Sequence, residues 1–184
     1  MEKKPKDFFG LAKSRKTTYE FSDKNISDSN LKRILEAGSL APSANNIQNW
    51  SFIVIKNPKT ITSLNRICYY GGFHTEPPLM IALVIEPAVE TYPGLFKGQV
   101  KELSAYHEYI NISFPILNMV YAALSLDIDS AILSPVISDA NKILKVPSVK
   151  KTSLILALGY EKKGAKQPHH GRKELKDLVH YEKY

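Results

Sequence analysis

The chain has 184 residues, 43% hydrophobic and 23% charged, with 9 Gly and 11 Pro. That is enough for one domain, 1–184, to bury its own core, and it excludes a disordered, collagen-like or low-complexity chain. A single cysteine, Cys68, excludes a disulfide framework and any multi-cysteine zinc or iron–sulfur centre.

The net charge of +7 is gathered at the two ends. Residues 1–16 carry six Lys/Arg against two acids and 162–184 carry seven against three, while 17–161 has twelve against thirteen. No basic stripe interleaved with aromatics, helix-turn-helix or zinc-finger spacing accompanies this charge, so nucleic acid is not the expected ligand. MEKKPKDFF runs into no apolar stretch, so no secretory signal is expected. The uncharged stretches at 38–55 and 109–126 hold too many Asn, Gln and Pro residues for a membrane span. A soluble, cytoplasmic protein with no membrane partner is expected.

Taken in chain order, Asp7–Ala12 is a short amphipathic segment leading into SRKTTYEF. Ser27 is the N-cap of a helix whose apolar face is Leu31, Ile34, Leu35 and Gly38, and which ends before Pro42. The polar loop PSANNIQN follows, then the apolar run Trp50–Lys56, read as a buried strand. Asn57-Pro58 opens a second helix, which carries Cys68 on its apolar face. Pro78–Glu86 is a second buried strand, and 87–99 is a Gly/Pro-rich surface loop. Leu103–Leu126 is a long helix that Pro115 should kink or deprive of one hydrogen bond. Ser130–Leu133 is a third strand, Ser138 caps a short helix ending near Val146-Pro147, and Lys151–Tyr160 is a fourth strand. Arg172–Tyr184 is a basic tail, partly helical. This alternation predicts an α+β, layered α/β/α domain, a mixed central sheet covered by helices on both faces.

Most chemistry-bearing patterns are absent. There is no GxxxxGK[ST] loop, no GxGxxG after a strand and no GxSxG elbow. The five histidines lack metal-ligand spacing, and nothing basic beside Cys68 favours a thiolate. No metal and no catalytic side chain are expected.

Two polar segments stand out. Ser14–Phe21 clusters cations and hydroxyls ahead of the first main helix, and arginine's planar fork suits phosphate oxygens. Pro42–Trp50, PSANNIQNW, places four side-chain amides between a helix end and a buried strand. Amides donate and accept, so they can match the N–H and C=O edge of a heteroaromatic ring. On the residues alone, a phosphate plus a polar-edged flat ring stands against an Asn-rich turn beside a basic cluster.

These residues resemble the nitroreductase family of FMN-dependent flavoenzymes. The resemblance runs through SRKTTYEF, LKRILEAGSLAPSANNIQNWSFIVI, the long helix with Asn118, the ALGY strand and the terminal GRKELKDLV. It implies that Arg15 and Thr17 hold the FMN phosphate, with Lys16 contributing through its backbone or charge, and that Arg172 reaches the same phosphate. Pro42, Ser43 and Ala44 would line the flavin through their backbone, while Asn46 and Gln48 would address the ribityl chain and ring edge. Leu133 and Ser134 would offer a backbone N–H toward flavin N5. It also implies a homodimer with the site at the subunit interface.

Four positions depart from the family pattern. Tyr19 stands where a second basic residue is usual, Asn49 replaces the proline before the tryptophan, Asn111 replaces an aspartate, and Asp127–Asp129 replaces a glycine-rich turn. The implied activity is reduction of a nitroaromatic, quinone or similar small-molecule acceptor, with NAD(P)H as electron donor and FMN carrying the chemistry. The alternatives are an FMN storage or sensor module without turnover, and an offshoot such as a reductive dehalogenase or flavin-breakdown enzyme.

Overall fold

A computed structural model describes residues 7–69, 72–87, 101–165 and 171–184, with only the backbone described for 101–107. The surface loop expected at 87–99 lies outside the described residues from position 88 onward. Five helices and five strands follow in order: α1 (Phe8–Ser14), α2 (Asp28–Ser39), β1 (Trp50–Ile55), α3 (Pro58–Arg66), β2 (Cys68–Tyr69), β3 (Leu79–Ile85), α4 (Lys101–Ser125), β4 (Asp129–Pro135), α5 (Ile137–Leu144) and β5 (Lys151–Gly159). Short 3-10 turns occupy Ala44–Asn46 and Leu175–Asp177.

The strands form one sheet in the order β1-β3-β5-β4-β2. Every strand pairing is antiparallel, so the sheet is not mixed as the alternation of strands and helices implied. Among the described residues a parallel pairing occurs only as an isolated bridge, Glu20 to Thr75. β3 is buried along its whole length because both of its faces are covered. Leu79, Ile81, Leu83 and Ile85 pack under α2 and α4. Met80 and Ala82 pack on the other side, in a cluster with Ile61 and Leu64 of α3 and Ala140 of α5. An apolar run without alternation is the signature of a strand buried twice.

Local signals fix most element ends. Ser27 caps α2 by accepting from the Asn30 N–H at 3.2 Å, and Asn57 caps α3 through the Lys59 and Thr60 N–H groups. Gly38 lets α2 lie close on α4, since a Cβ there would run into the Met119 side chain. Asn118 ties the two helices by donating to the Ala37 carbonyl at 3.1 Å.

Some expectations change. α4 begins at Lys101 and runs as one 25-residue helix with Pro115 inside it, where proline has no N–H to donate. α5 starts at Ile137 with Val136 as N-cap, so Ser138 lies inside its first turn and does not cap it. Cys68 belongs to the two-residue strand β2 rather than to a helix face. The 171–184 tail is helical only in its three-residue turn. No helix of the described residues is long and apolar enough to cross a membrane.

Candidate functional site

The amide loop is held as a rigid object. Asn49 and Asn111 are 2% and 1% exposed, and they bond to each other, Asn111 Nδ2 donating to Asn49 Oδ1 at 3.0 Å. Asn111 Oδ1 accepts from the Ala44 N–H at 3.1 Å, and Asn49 Nδ2 donates to the Glu86 carbonyl at 3.2 Å. The Glu86 N–H donates back to the Asn49 carbonyl at 3.0 Å. The loop is thereby clamped to both α4 and the end of β3. The two departures explain each other: a buried amide at 111 has a hydrogen to place, and the amide at 49 accepts it.

Within the loop, Ser43 Oγ accepts from the Gln48 N–H at 2.9 Å, and Gln48 Nε2 donates to both the carbonyl and Oδ1 of Asn46 at 3.1 Å. Asn45, Asn46 and Gln48 all have left-handed backbones, with φ of 50°, 55° and 46°. Asparagine tolerates that region, but glutamine does so at a cost. Such strain persists where the surroundings over-determine the backbone, and here the surroundings are the Asn49–Asn111 clamp. Pro42, Asn46 and Gln48 are exposed, and Ser43 and Ala44 half-buried. These five sequence-predicted residues therefore share one surface.

The cationic segment lies elsewhere. Arg15 closes α1, its N–H donating to the Leu11 carbonyl at 3.0 Å. The Thr18 N–H donates to the Ser130 carbonyl on β4 at 3.0 Å, which lays residues 15–18 along the start of that strand. Arg15 and Thr17 are half-buried, and the Arg15 guanidinium makes no ion pair among the described residues. Lys16 is spoken for: its ammonium lies 2.6 Å from both Glu161 carboxylate oxygens. Of the two neighbouring cations, the uncommitted one is Arg15. Tyr19 is half-buried, its ring tilted against Phe73 at 6.4 Å.

β4 connects this segment with the other candidate backbone donors. Because Ser130 turns its carbonyl to Thr18, strand alternation turns Leu133 toward β5 and Ser134 away from it, toward β2. Leu133 pairs with Ile155 and Ser134 with Tyr69. Leu133 is buried and Ser134 exposed, and the edge strand of the sheet is β2, which Ser134 faces. Ser130 to Ser134 is about 13 Å of strand.

The amide loop does not join them within one chain. Trp50 pairs with Ile85 and Ile85 with Lys151, at the start of β5, whereas Glu161, the partner of Lys16, follows the end of β5. β1 is also separated from β4 by β3 and β5, three strand spacings or about 14 Å. One chain thus brings together Arg15, Lys16, Thr17 and Ser134, and separately Pro42–Gln48. Arg172 lies in the exposed 171–184 segment, whose hydrogen bonds and ion pair among the described residues are all local.

Two ionisable groups near these regions are shifted. The Lys150 ammonium, 2.8 Å away, holds the Glu86 carboxyl below its usual value. Burial pushes the Cys68 thiol up to about 11, which removes it as a nucleophile at neutral pH. Sequence reasoning did not foresee the pairing of Asn49 with Asn111 or of Lys16 with Glu161. Those partners are 62 and 145 residues apart, and no local pattern announces them.

The sequence model of the Nitroreductase family matches residues 12–160. A protein of Archaeoglobus fulgidus whose name reads NADH dehydrogenase/NAD(P)H nitroreductase is 27% identical over 154 residues, covering 81% of this chain and 82% of its own. Among solved structures, a nitroreductase family protein of Streptococcus pneumoniae TIGR4 superposes with a TM-score of 0.82 at 21% identity, covering 95% of this chain and all of its own. The NADPH:FMN oxidoreductase of Vibrio harveyi complexed with NAD+ superposes with a TM-score of 0.81 at 14% identity, covering 96% and 77%.

Proposed function

The chain belongs to the Nitroreductase family of oxidoreductases, and from that premise we propose that it is an FMN-dependent NAD(P)H oxidoreductase acting as a cytoplasmic homodimer. The observation that carries this reading is the line of donors along β4. An uncommitted, half-buried arginine and Thr17 sit at one end, and the exposed Ser134 lies about 13 Å further on. That donor set fits a phosphate at one end and the polar edge of a flat ring at the other.

When bound, FMN would supply the redox chemistry, hydride transfer from NAD(P)H to a nitroaromatic, quinone or similar acceptor. The chain's own residues would bind and orient it. Arg15 and Thr17 would hold the phosphate, Lys16 would contribute through its backbone because Glu161 neutralises its charge, and Arg172 would add a second cation. Leu133 would shape the strand from within, and Ser134 would lie beside the ring. Pro42, Ser43 and Ala44 line the flavin, and Asn46 and Gln48 address its ribityl chain and ring edge from the partner chain. That assignment to the partner follows from the separation of the loop from β4 in one chain.

The homodimer rests on α4 and on that separation. Phe114 and Leu117 of α4 are 38% and 45% exposed, an apolar face that water alone would cover at a cost. In a dimer that buries this face, one chain's amide loop would meet the other's β4.

The test is the absorption spectrum of the purified protein, followed by NAD(P)H oxidation with a quinone acceptor. A yellow dimer that turns over confirms the reading. A colourless protein that takes up no added FMN overturns it, and a yellow protein that never oxidises NAD(P)H is a storage or sensor module instead. A monomeric mass by light scattering at micromolar concentration, with FMN bound, would refute the two-chain site.

A further inference from the structure

A cleft of about 710 Å³ opens at the end of the sheet where β5 begins, between α5 and the 145–151 turn, with Tyr109 of α4 as one wall. Its walls are fixed. Asn141 Nδ2 donates to the Lys150 carbonyl at 2.7 Å and Asn141 Oδ1 accepts from the Thr152 N–H at 2.9 Å, which rivets α5 to β5. Four lysines line it: Lys142, Lys145, Lys150 and Lys151.

Two of these are committed. Lys150 pairs with Glu86 at 2.8 Å, and Lys151 lies 3.9 Å from Glu108 and 5.6 Å from the centre of the Tyr109 ring. Lys142 and Lys145 make no ion pair among the described residues. A helix C-terminus attracts cations, which accounts for lysines in and after the last turn of α5. It does not account for the two further lysines where β5 begins, nor for an aromatic wall and the Ser138 and Ser148 hydroxyls around the same space.

The cleft also lies close along the chain to the candidate site. Ile137 and Ser138, which line it, follow Ser134 by only a few residues, and α5 carries it about 12 Å further, to Lys145. A long ligand lying at the β4 edge with one end would reach the basic end of α5 with the other.

We propose that this cleft binds the phosphorylated adenosine half of the dinucleotide reductant, Lys142 and Lys145 meeting its phosphates and the Tyr109 ring its base. Ammonium groups suit phosphate, and aromatic rings stack on bases whatever their sequence. This assignment rests on the function proposed above and adds to it where the reductant docks.

The test titrates the FMN-loaded protein calorimetrically with adenosine 2′,5′-bisphosphate, and separately with inorganic phosphate. The variant pair Lys142→Gln with Lys145→Asn removes both unpaired charges, asparagine being chosen because Lys145 has a φ of 55°. The expected result is bisphosphate binding to the parent, weakened roughly tenfold to hundredfold in the variant, with KM for NAD(P)H rising and kcat and flavin absorbance unchanged. Equal affinity in parent and variant overturns the assignment, as does no binding to the parent. Inorganic phosphate binding as tightly as the bisphosphate also overturns it, because the cleft would then be an anion spot indifferent to a nucleotide. Failure of the flavin reading shows separately, as a protein without flavin absorbance.

Discussion

The amide loop at 42–50 and the tail at 171–184 are both polar, both lack regular structure beyond a single 3-10 turn, and both resemble flavin-binding segments. Their physical states differ. The loop is tied to α4 and β3 by a buried clamp and holds three left-handed non-glycine residues. Among the described residues the tail makes hydrogen bonds only within itself, and it exposes Leu175, Leu178, Tyr181 and Tyr184 at 74%, 57%, 88% and 106%. A single chain preorganises its loop, whereas no described contact outside the tail sets the position of Arg172. In the proposed site, one half would be finished at folding and the other at assembly.

The largest expected effect tests the finished half. Asn111→Leu leaves the Ala44 N–H and Asn49 Oδ1 without partners, the second of them buried. An orphaned buried polar group costs about 1–3 kcal/mol, and Ala44 is half-exposed, so a loss of about 2–4 kcal/mol is expected. The urea midpoint should fall with its slope unchanged. Deleting 171–184 should cost the isolated chain under about 0.5 kcal/mol, in line with other changes away from packed features. Equal costs for the two changes would erase the distinction between loop and tail.

The next effect tests how the unfinished half joins in. Arg15→Ala removes an uncommitted guanidinium, and a charge-assisted hydrogen bond is worth about 1.5–3 kcal/mol. A tenfold to hundredfold loss of FMN affinity by fluorescence titration is expected. Arg172→Ala should act in the same direction but only in the dimer. FMN retention unchanged in both variants would remove the phosphate from this end of β4.

Much of this was legible in the sequence, for identifiable reasons. Helix α2, with its Ser27 cap and its 3–4 spacing of apolar residues, and β3, with its unbroken apolar run, are set by local chemistry that a pattern reveals. The split of the site between chains is an expectation from the resemblance; what the structure adds is the strand order, which separates β1 from β4 by β3 and β5. What stayed hidden is pairing at long range. Asn49 and Asn111 read as two unrelated departures until the fold brought them together, and Lys16 read as a phosphate ligand until Glu161 was found on it. The β2 strand is only two residues long, too short for any periodicity. The sheet's uniformly antiparallel pairing depends on strand order, which alternation of strands and helices does not determine.

A smaller effect concerns Tyr19. Reduction of FMN places negative charge near the N1–C2=O edge, which a cation stabilises, and a neutral donor does so about half as well. The Tyr19 ring leans on Phe73, and Lys16 is held by Glu161, so neither offers a mobile charge. Tyr19→Lys should raise the flavin midpoint potential with FMN binding intact. An unchanged potential would mean that residue 19 does not face the ring.

The smallest effect returns to the loop's anchor. The Glu86 backbone bonds Asn49 in both directions, and its side chain pairs with Lys150. The folded carboxyl titrates below its unfolded value, chiefly through the hydrogen bond from Lys150. A depressed carboxyl stabilises the fold above its unfolded pKa of about 4.3, and that contribution fades as pH falls through the lower folded value. Both partners are about one-third exposed, so the contribution is under about 1 kcal/mol. Glu86→Gln should therefore lower stability slightly at pH 7 and flatten its decline in acid, with parent and variant converging at low pH. Stability curves from pH 2 to 7 on parent and variant read this directly. Curves that stay parallel down to low pH would show that the contact with Lys150 does not hold the Glu86 carboxyl, and the loop's anchor would rest on its backbone bonds to Asn49 alone.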